Sequence, residues 1–287
     1  VNLLKYLLYL GCMAKNEQME YEISTMALLK HFNIDVEYLG DEACCGVPAK
    51  NFDKSAWLIS SARLLALASQ KNGAILSLCT GCDLSFEETS HILRENDVLR
   101  ENIQEALDII GLEYDKNIKR VHIFDLIYDD IGIKRLSQAV ERDISHLKTA
   151  CYYGCHAIRT PDLHRLDDSE APTKMEEVIE AIGGQTEDYP ERLMCCMGPN
   201  LSFDPKPVLN NVGSIIDAIK NRGFNLLSVI CPYCFKTFSL KPFPVLYLTS
   251  LIGYAVGLDP NSLGMRLNRS PIEKIIPELA ELLIEEF

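Results

Sequence analysis

Ten of the eleven cysteines in this 287-residue chain fall into two copies of one pattern. In the first copy Cys12 stands alone, Cys44-Cys45 follows after 31 residues, and Cys79-Thr80-Gly81-Cys82 follows after 33 more. In the second, Cys155 is followed after 39 residues by Cys195-Cys196, and after 34 more by Cys231-Pro232-Tyr233-Cys234. The flanks repeat as well: Tyr9-Leu10-Gly11-Cys12 parallels Tyr152-Tyr153-Gly154-Cys155, and Gly46 and Gly198 lie close behind the two pairs. Matched spacing over this length marks an internal duplication. Buried apolar cysteines are common singly but do not recur at matched intervals, so the ten are expected to bind metal as two sets of five. Cys151, between Ala150 and Tyr152, is expected to be a plain core thiol.

Structural zinc takes four ligands, commonly from two Cys-x-x-Cys hooks about 15 to 20 residues apart. Each set here has one hook, one adjacent pair and one distant single, which is not a zinc ribbon. Ordinary [4Fe-4S] ferredoxin motifs gather several ligands in a short run, because one loop wraps the cluster. Neither copy does so. Five thiolates converging from three loops suit an iron-sulfur cluster with more ligand demand than a cubane, one cysteine bridging two irons. A zinc-stabilised scaffold that docks partners is the competing reading. A thioredoxin-type relay would leave the remaining cysteines unexplained.

The elements that must deliver these thiols can be read from apolar runs. Lys5 to Leu10, Val36 to Leu39 and Ala74 to Leu78 read as short buried strands; Met19 to Phe32 and Ala56 to Ala68 have helical spacing, the latter capped at Lys71-Asn72-Gly73. In the second half, Lys148 to Tyr153 and Leu226 to Ile230 read as strands, and Lys174 to Ile182 and Val208 to Lys220 as helices. Alternating strands and helices imply an α/β fold with parallel sheets, and such sheets bind ligands beyond the carboxyl ends of their strands. Each cysteine loop of the first half follows a strand there. Asp97 to Arg142 is read as connecting helices, Pro242 to Leu258 as a buried helix beginning near Val245, and Pro271 to Phe287 as an amphipathic packing helix. The chain divides into two tandem related domains, 1–145 and 146–287, each near the usual domain size.

Apolar residues make up 47% and charged residues 24%, as in a globular protein. A net charge of −13 argues against nucleic acid or anionic lipid as a partner. The longest uncharged apolar stretch falls short of the roughly 20 residues of a spanning helix. No export pattern precedes Cys12, so a reducing, cytoplasmic setting is expected, in which thiols are metal ligands rather than disulfides.

At these residues the chain resembles the B subunit of heterodisulfide reductase, a family with two cysteine-rich CCG domains. The likeness extends to Tyr152-Tyr153-Gly154-Cys155-His156 and to Pro244-Val245-Leu246-Tyr247-Leu248. Two departures stand out: the final gaps are slightly short, and Met197 replaces the Gly expected after the second pair. The resemblance implies a Rossmann-like sheet in each domain and two noncubane [4Fe-4S] clusters at the strand ends. Cys12, Cys44, Cys45, Cys79 and Cys82 would hold one, and Cys155, Cys195, Cys196, Cys231 and Cys234 the other. It implies an oxidoreductase that reduces the mixed disulfide of coenzyme M and coenzyme B, in methanogenesis. Two clusters make sense of a two-electron cleavage when each passes one electron, so both sets are expected to line one cavity.

His156 is the expected local proton donor. Lys50, Arg159, Lys206 and Lys236 are the cations nearest the motifs. The partners implied are the family's C subunit, which carries iron-sulfur clusters, and its flavin-bearing A subunit, in a soluble electron-bifurcating complex with a hydrogenase or formate dehydrogenase module. The alternative within the same class is a CCG electron-transfer subunit of a succinate or thiol:fumarate reductase, of lactate or glycolate oxidation, or of sulfur metabolism.

Overall fold

The apolar runs become two parallel sheets in the computed structural model, which describes residues 5–40, 43–160, 163 and 166–279. Strands β1 (Tyr6–Tyr9), β2 (Val36–Tyr38), β3 (Ala74–Ser77) and β4 (Arg120–His122) form the first, in the order β2-β1-β3-β4. Strands β5 (Thr149–Tyr152), β6 (Leu226–Val229) and β7 (Val245–Tyr247) form the second, in the order β5-β6-β7. A single parallel bridge between Lys148 and Gln185 lies beside β5 where the first sheet has β2. Thus β5, β6 and β7 answer to β1, β3 and β4, and the cysteine duplication is a duplication of the sheet.

The helices of the first half are α1 (Gly11–Asn16), α2 (Met19–His31), α3 (Lys54–Gln70), α4 (Thr80–Glu95), α5 (Asp97–Asp108), α6 (Ile123–Asp125) and α7 (Ile133–Gln138). Those of the second are α8 (Cys155–Ile158), α9 (Lys174–Ala181), α10 (Pro205–Asn221), α11 (Pro232–Phe238) and α12 (Leu248–Ala255). Four of them return the chain to the sheet through a left-handed residue just past the end: Asn33, Asn72, Gly183 and Gly223. Gly73 follows because a Cβ there would lie 2.7 Å from the Leu7 side chain.

Consecutive residues of β1 point to opposite faces, yet Leu7 and Leu8 are both fully buried, as a sheet covered on two sides requires. Leu7 joins Ile75, Trp57 and Leu65 in a core under α3. Leu8 joins Leu76, Tyr21 and Leu28 in a second core that continues without a break into Leu227, Tyr247 and Ile252 of the other half. The seam is the packing of α2 on α12. There Ser24 Oγ and Thr249 Oγ1 share a buried hydrogen bond of 2.8 Å. Tyr247 is stacked between Tyr21, with ring centroids 3.7 Å apart, and Phe235, at 4.4 Å. Gln18 Nε2 donates to Pro232 O and Tyr21 Oη to Ile230 O, tying α2 to the loop after β6.

Three expectations need correction. The stretch from Asp97 to Arg142 is not only helical: β4 lies within it and completes the first sheet. The run after Pro242 begins as strand β7, and its helix starts at Leu248. The amphipathic helix expected from Pro271 starts later: Ile272–Lys274 form a 3-10 turn, and helical backbone begins at Pro277, a first-turn position that suits proline; residues 280–287 of that expectation lie outside those described. Among the described residues no helix is long and apolar enough to cross a membrane.

Candidate metal centre

Three loops at the carboxyl end of the first sheet bring five thiols together. Cys12 lies in the first turn of α1 after β1, Cys44-Cys45 follow β2, and Cys79 caps α4 after β3 with Cys82 in its first turn. All five line one cavity, with about 330 Å³ of space between atoms, open solvent included. The second half repeats this: Cys155 opens α8 after β5, Cys195-Cys196 follow the 3-10 turn Pro190–Leu193, and Cys231 caps α11 after β6 with Cys234 inside it. Cys155 Sγ lies 3.6 Å from Cys195 Sγ, and Cys234 Sγ 3.3 Å from Cys196 Sγ.

Repeated flanking residues hold these loops. Tyr9 Oη donates to Ala43 O at 2.7 Å, just before the first pair, and Tyr152 Oη donates to Met194 O at 2.5 Å, just before the second. The Cys45 carbonyl accepts from Ser61 Oγ at 2.6 Å, and the Cys195 carbonyl from Asn211 Nδ2 at 2.9 Å. Gly11 and Gly154 precede the lead cysteines at φ of 69° and 78°. A Cβ would lie 3.4 Å from Cys82 Sγ at the first and 3.0 Å from Cys234 Sγ at the second, so glycine lets backbone close on sulfur.

Met197 has a structural counterpart in Gly46. Both are left-handed, at φ of 58° and 89°. A Cβ at Gly46 would meet the Trp57 backbone of α3 at 2.9 to 3.0 Å, which forbids a side chain there. At 197 a side chain is accommodated, half-buried against the core. The amide role is unchanged: Gly46 N–H points to Cys44 Sγ at 3.4 Å and Met197 N–H to Cys195 Sγ at 3.3 Å.

The two sets meet. Cys79 of the first and Cys231 of the second act on each other, Cys79 being raised and Cys231 lowered by the other's thiol. His156 lies against the first hook, its Nδ1 3.1 Å from where a Cβ on Gly81 would stand. Tyr233, from the second hook, lines the cavity of the first set.

Hydrogen bonding among the thiols sorts the lead cysteines and the adjacent pairs alike in both halves, whereas Cys79 is raised and its counterpart Cys231 lowered. Cys44 is pushed down to about 2 because Cys12, Cys45 and the Gly46 amide all donate to it. Cys195 is pushed down to about 2 by Cys155, Cys196 and the Met197 amide. The donors move the other way: Cys45 and Cys196 rise to about 12 through their bonds to Cys44 and Cys195, and Cys12 and Cys155 rise further. Most of these thiols therefore hold protons that a metal group must displace. Among the described residues, no three His, Cys, Asp or Glu side chains are arranged to hold a single metal ion. Five soft sulfurs around one cavity, with no carboxylate or imidazole among the described residues of its wall, fit a thiophilic, polynuclear group such as an iron-sulfur cluster.

The cations near the motifs fare differently. Lys50 is paired with Glu88 at 2.5 Å and Lys236 with Glu17 at 2.6 Å, so both are neutralised. Arg159 and Lys206 are exposed, the former donating to Leu193 O at 3.0 Å. Cys151 is fully buried in β5, 3.7 Å from Thr186 Oγ1 and away from both sets. Sequence reading missed Tyr233 and the tethering by Tyr9 and Tyr152, although the repeated tyrosines were a usable signal.

Against known proteins, the cysteine-rich domain CCG matches residues 6–87 and 149–239, and the chain belongs to that family. It is 29% identical over 280 residues to the B subunit of the ferredoxin/F420H2-dependent CoB-CoM heterodisulfide reductase of Methanosarcina acetivorans, covering 92% of this chain and 93% of the relative. It is 25% identical to the 8-methylmenaquinol:fumarate reductase membrane anchor subunit of Wolinella succinogenes, covering 90% and 94%. A crystal structure of a hypothetical protein from Helicobacter pylori shares the fold, with a TM-score of 0.73 at 17% identity. That match covers 92% of this chain but only 52% of the other, so the chain spans about half that protein's length. The named relatives are subunits of reductases, and this chain is similar to the B subunits of heterodisulfide reductases.

Proposed function

We propose that this chain is the disulfide-reducing subunit of a heterodisulfide reductase, its two domains (1–145 and 146–287) each holding one noncubane [4Fe-4S] cluster. Cys12, Cys44, Cys45, Cys79 and Cys82 hold the first, and Cys155, Cys195, Cys196, Cys231 and Cys234 the second. The observation that supports this reading is that the two sets adjoin, with His156 of the second against Gly81 of the first and Tyr233 of the second lining the first set's cavity, so that one small molecule could reach both. Such clusters supply electrons one at a time when bound, and cleaving a disulfide takes two electrons and two protons to give two thiols.

The chain's own residues set the stage for that reaction. Cys79 and Cys231 are almost wholly buried, which keeps water from them, while Cys12, Cys44, Cys155 and Cys195 are half-buried. His156, next to Cys155 and against Gly81, is placed to hand a proton to a product sulfur at the seam. The substrate is the mixed disulfide of coenzymes M and B. Electrons come from an iron-sulfur subunit fed by a flavin subunit, with a hydrogenase or formate dehydrogenase module upstream, in the cytoplasm.

The relative from Wolinella succinogenes supports a second reading, an electron-transfer subunit of a fumarate reductase. An anaerobic assay of the reconstituted chain with reduced viologen separates the two. Oxidation of the dye by the mixed disulfide, with two thiols released per disulfide, is the expected result. Reoxidation of the cofactor-loaded chain by a menaquinone analogue but not by the disulfide would favour the second reading.

A further inference from the structure

The duplication is broken at a position that faces the seam. Residue 81 of the first hook is Gly; its counterpart in the second hook is Tyr233. Tyr233 belongs to the second half, yet its half-buried side chain lines the cavity of the first set. After burial, the groups that oppose charge on its phenol are Cys79, Cys12, Cys45 and Cys82, all of the first set. Its backbone is wedged from behind: a Cβ on Gly198 would stand 2.7 Å from Tyr233 Cβ. Residue 81 sends no side chain back and His156 fills the space beside it, and from the first hook it is the small Thr80 that bears on Cys231. His156 does not redress the balance. Its own counterpart, Met13, lines the first cavity too, so the first set has that wall and the tyrosine ring besides.

We propose that Tyr233 makes the two sites unequal: it roofs the first from across the seam and shields it from an incoming sulfur, whereas the second, whose matching residue across the seam is only glycine, Gly81, admits one. The proposal rests on the disulfide-reductase reading above and adds an order to it, the substrate sulfur landing first at the second site. A bulky ring excludes a thiol by occupying volume, so the hydroxyl is dispensable for this role and the ring is not.

The test is a titration of the reconstituted, partly reduced chain with 2-mercaptoethanesulfonate, followed by electron paramagnetic resonance. In the parent and in Tyr233→Phe the thiol is expected to alter one of two cluster signals. In Tyr233→Gly it is expected to alter both, at unchanged iron content. Tyr233→Ala gives the same readout should the glycine variant lose iron. Two altered signals in the parent, or one in both small variants with full iron, would overturn the proposal and leave the disulfide-reductase reading intact. A thiol that alters neither signal in any form would bring down both.

Discussion

In each cysteine set the first of the adjacent pair, Cys44 or Cys195, is pushed down by hydrogen bonds from its neighbours, and in the second set Cys231 is lowered as well. Every member has a defined partner, so loss of one should empty its own site and spare the other. Cys45→Ser is expected to lower iron to about four per chain from about eight, with sulfide falling in step. These residues were legible in the sequence because soft-metal binding demands cysteine itself at matched spacing. Tyr233 was not, since its role depends on which loop it meets across the seam. A second residue-scale expectation concerns Glu20, buried in the first turn of α2, where desolvation pushes its carboxyl up to about 7 and Arg269 only partly opposes this. The folded state then holds that proton more tightly than the unfolded chain does. Stability should therefore fall as pH rises from the ordinary carboxylate range through about 7. Glu20→Gln removes the penalty, and urea unfolding should show it more stable than the parent by about 1 to 2 kcal/mol at pH ~8, with a smaller gap near pH ~5.5.

Among the elements, α2 and α12 matter most, because they join the two sheets and so fix the distance between the cysteine sets. Tyr247 stands at their crossing, stacked on both sides and donating through its hydroxyl to Gln18. Tyr247→Phe keeps the stack and should cost about 1 kcal/mol, whereas Tyr247→Ala opens a cavity and should cost about 3 to 5 kcal/mol by urea titration. The helices after each cysteine pair are capped alike, Asp53 accepting from Ala56 N–H and Asp204 from Lys206 N–H. Asp53→Ala and Asp204→Ala should each lower stability by about 1 kcal/mol on the same measurement. The strands and helices around the first set were legible from periodicity, since β1 and β3 are continuous apolar runs. Strand β4 was not, because Arg120-Val121-His122 is three residues with one apolar side chain. Nor was β7, whose Val245-Leu246-Tyr247 leads directly into a helix of the same apolar character. Apolar runs that short do not distinguish strand from helix.

At the scale of the molecule, two sheets that read as separate repeats share one core. The sequence marks where each repeat begins, but the faces of α2 and α12 that meet are ordinary apolar stripes, and a stripe does not name its partner. That shared core gives the duplication its consequence, since two five-cysteine sites in separate bodies could not both face one disulfide. Anaerobic analysis of iron, acid-labile sulfide and zinc in the purified chain tests this most directly. Two adjoining iron-sulfur sites require about eight irons and eight sulfides per chain and no zinc. Zinc without sulfide would contradict them.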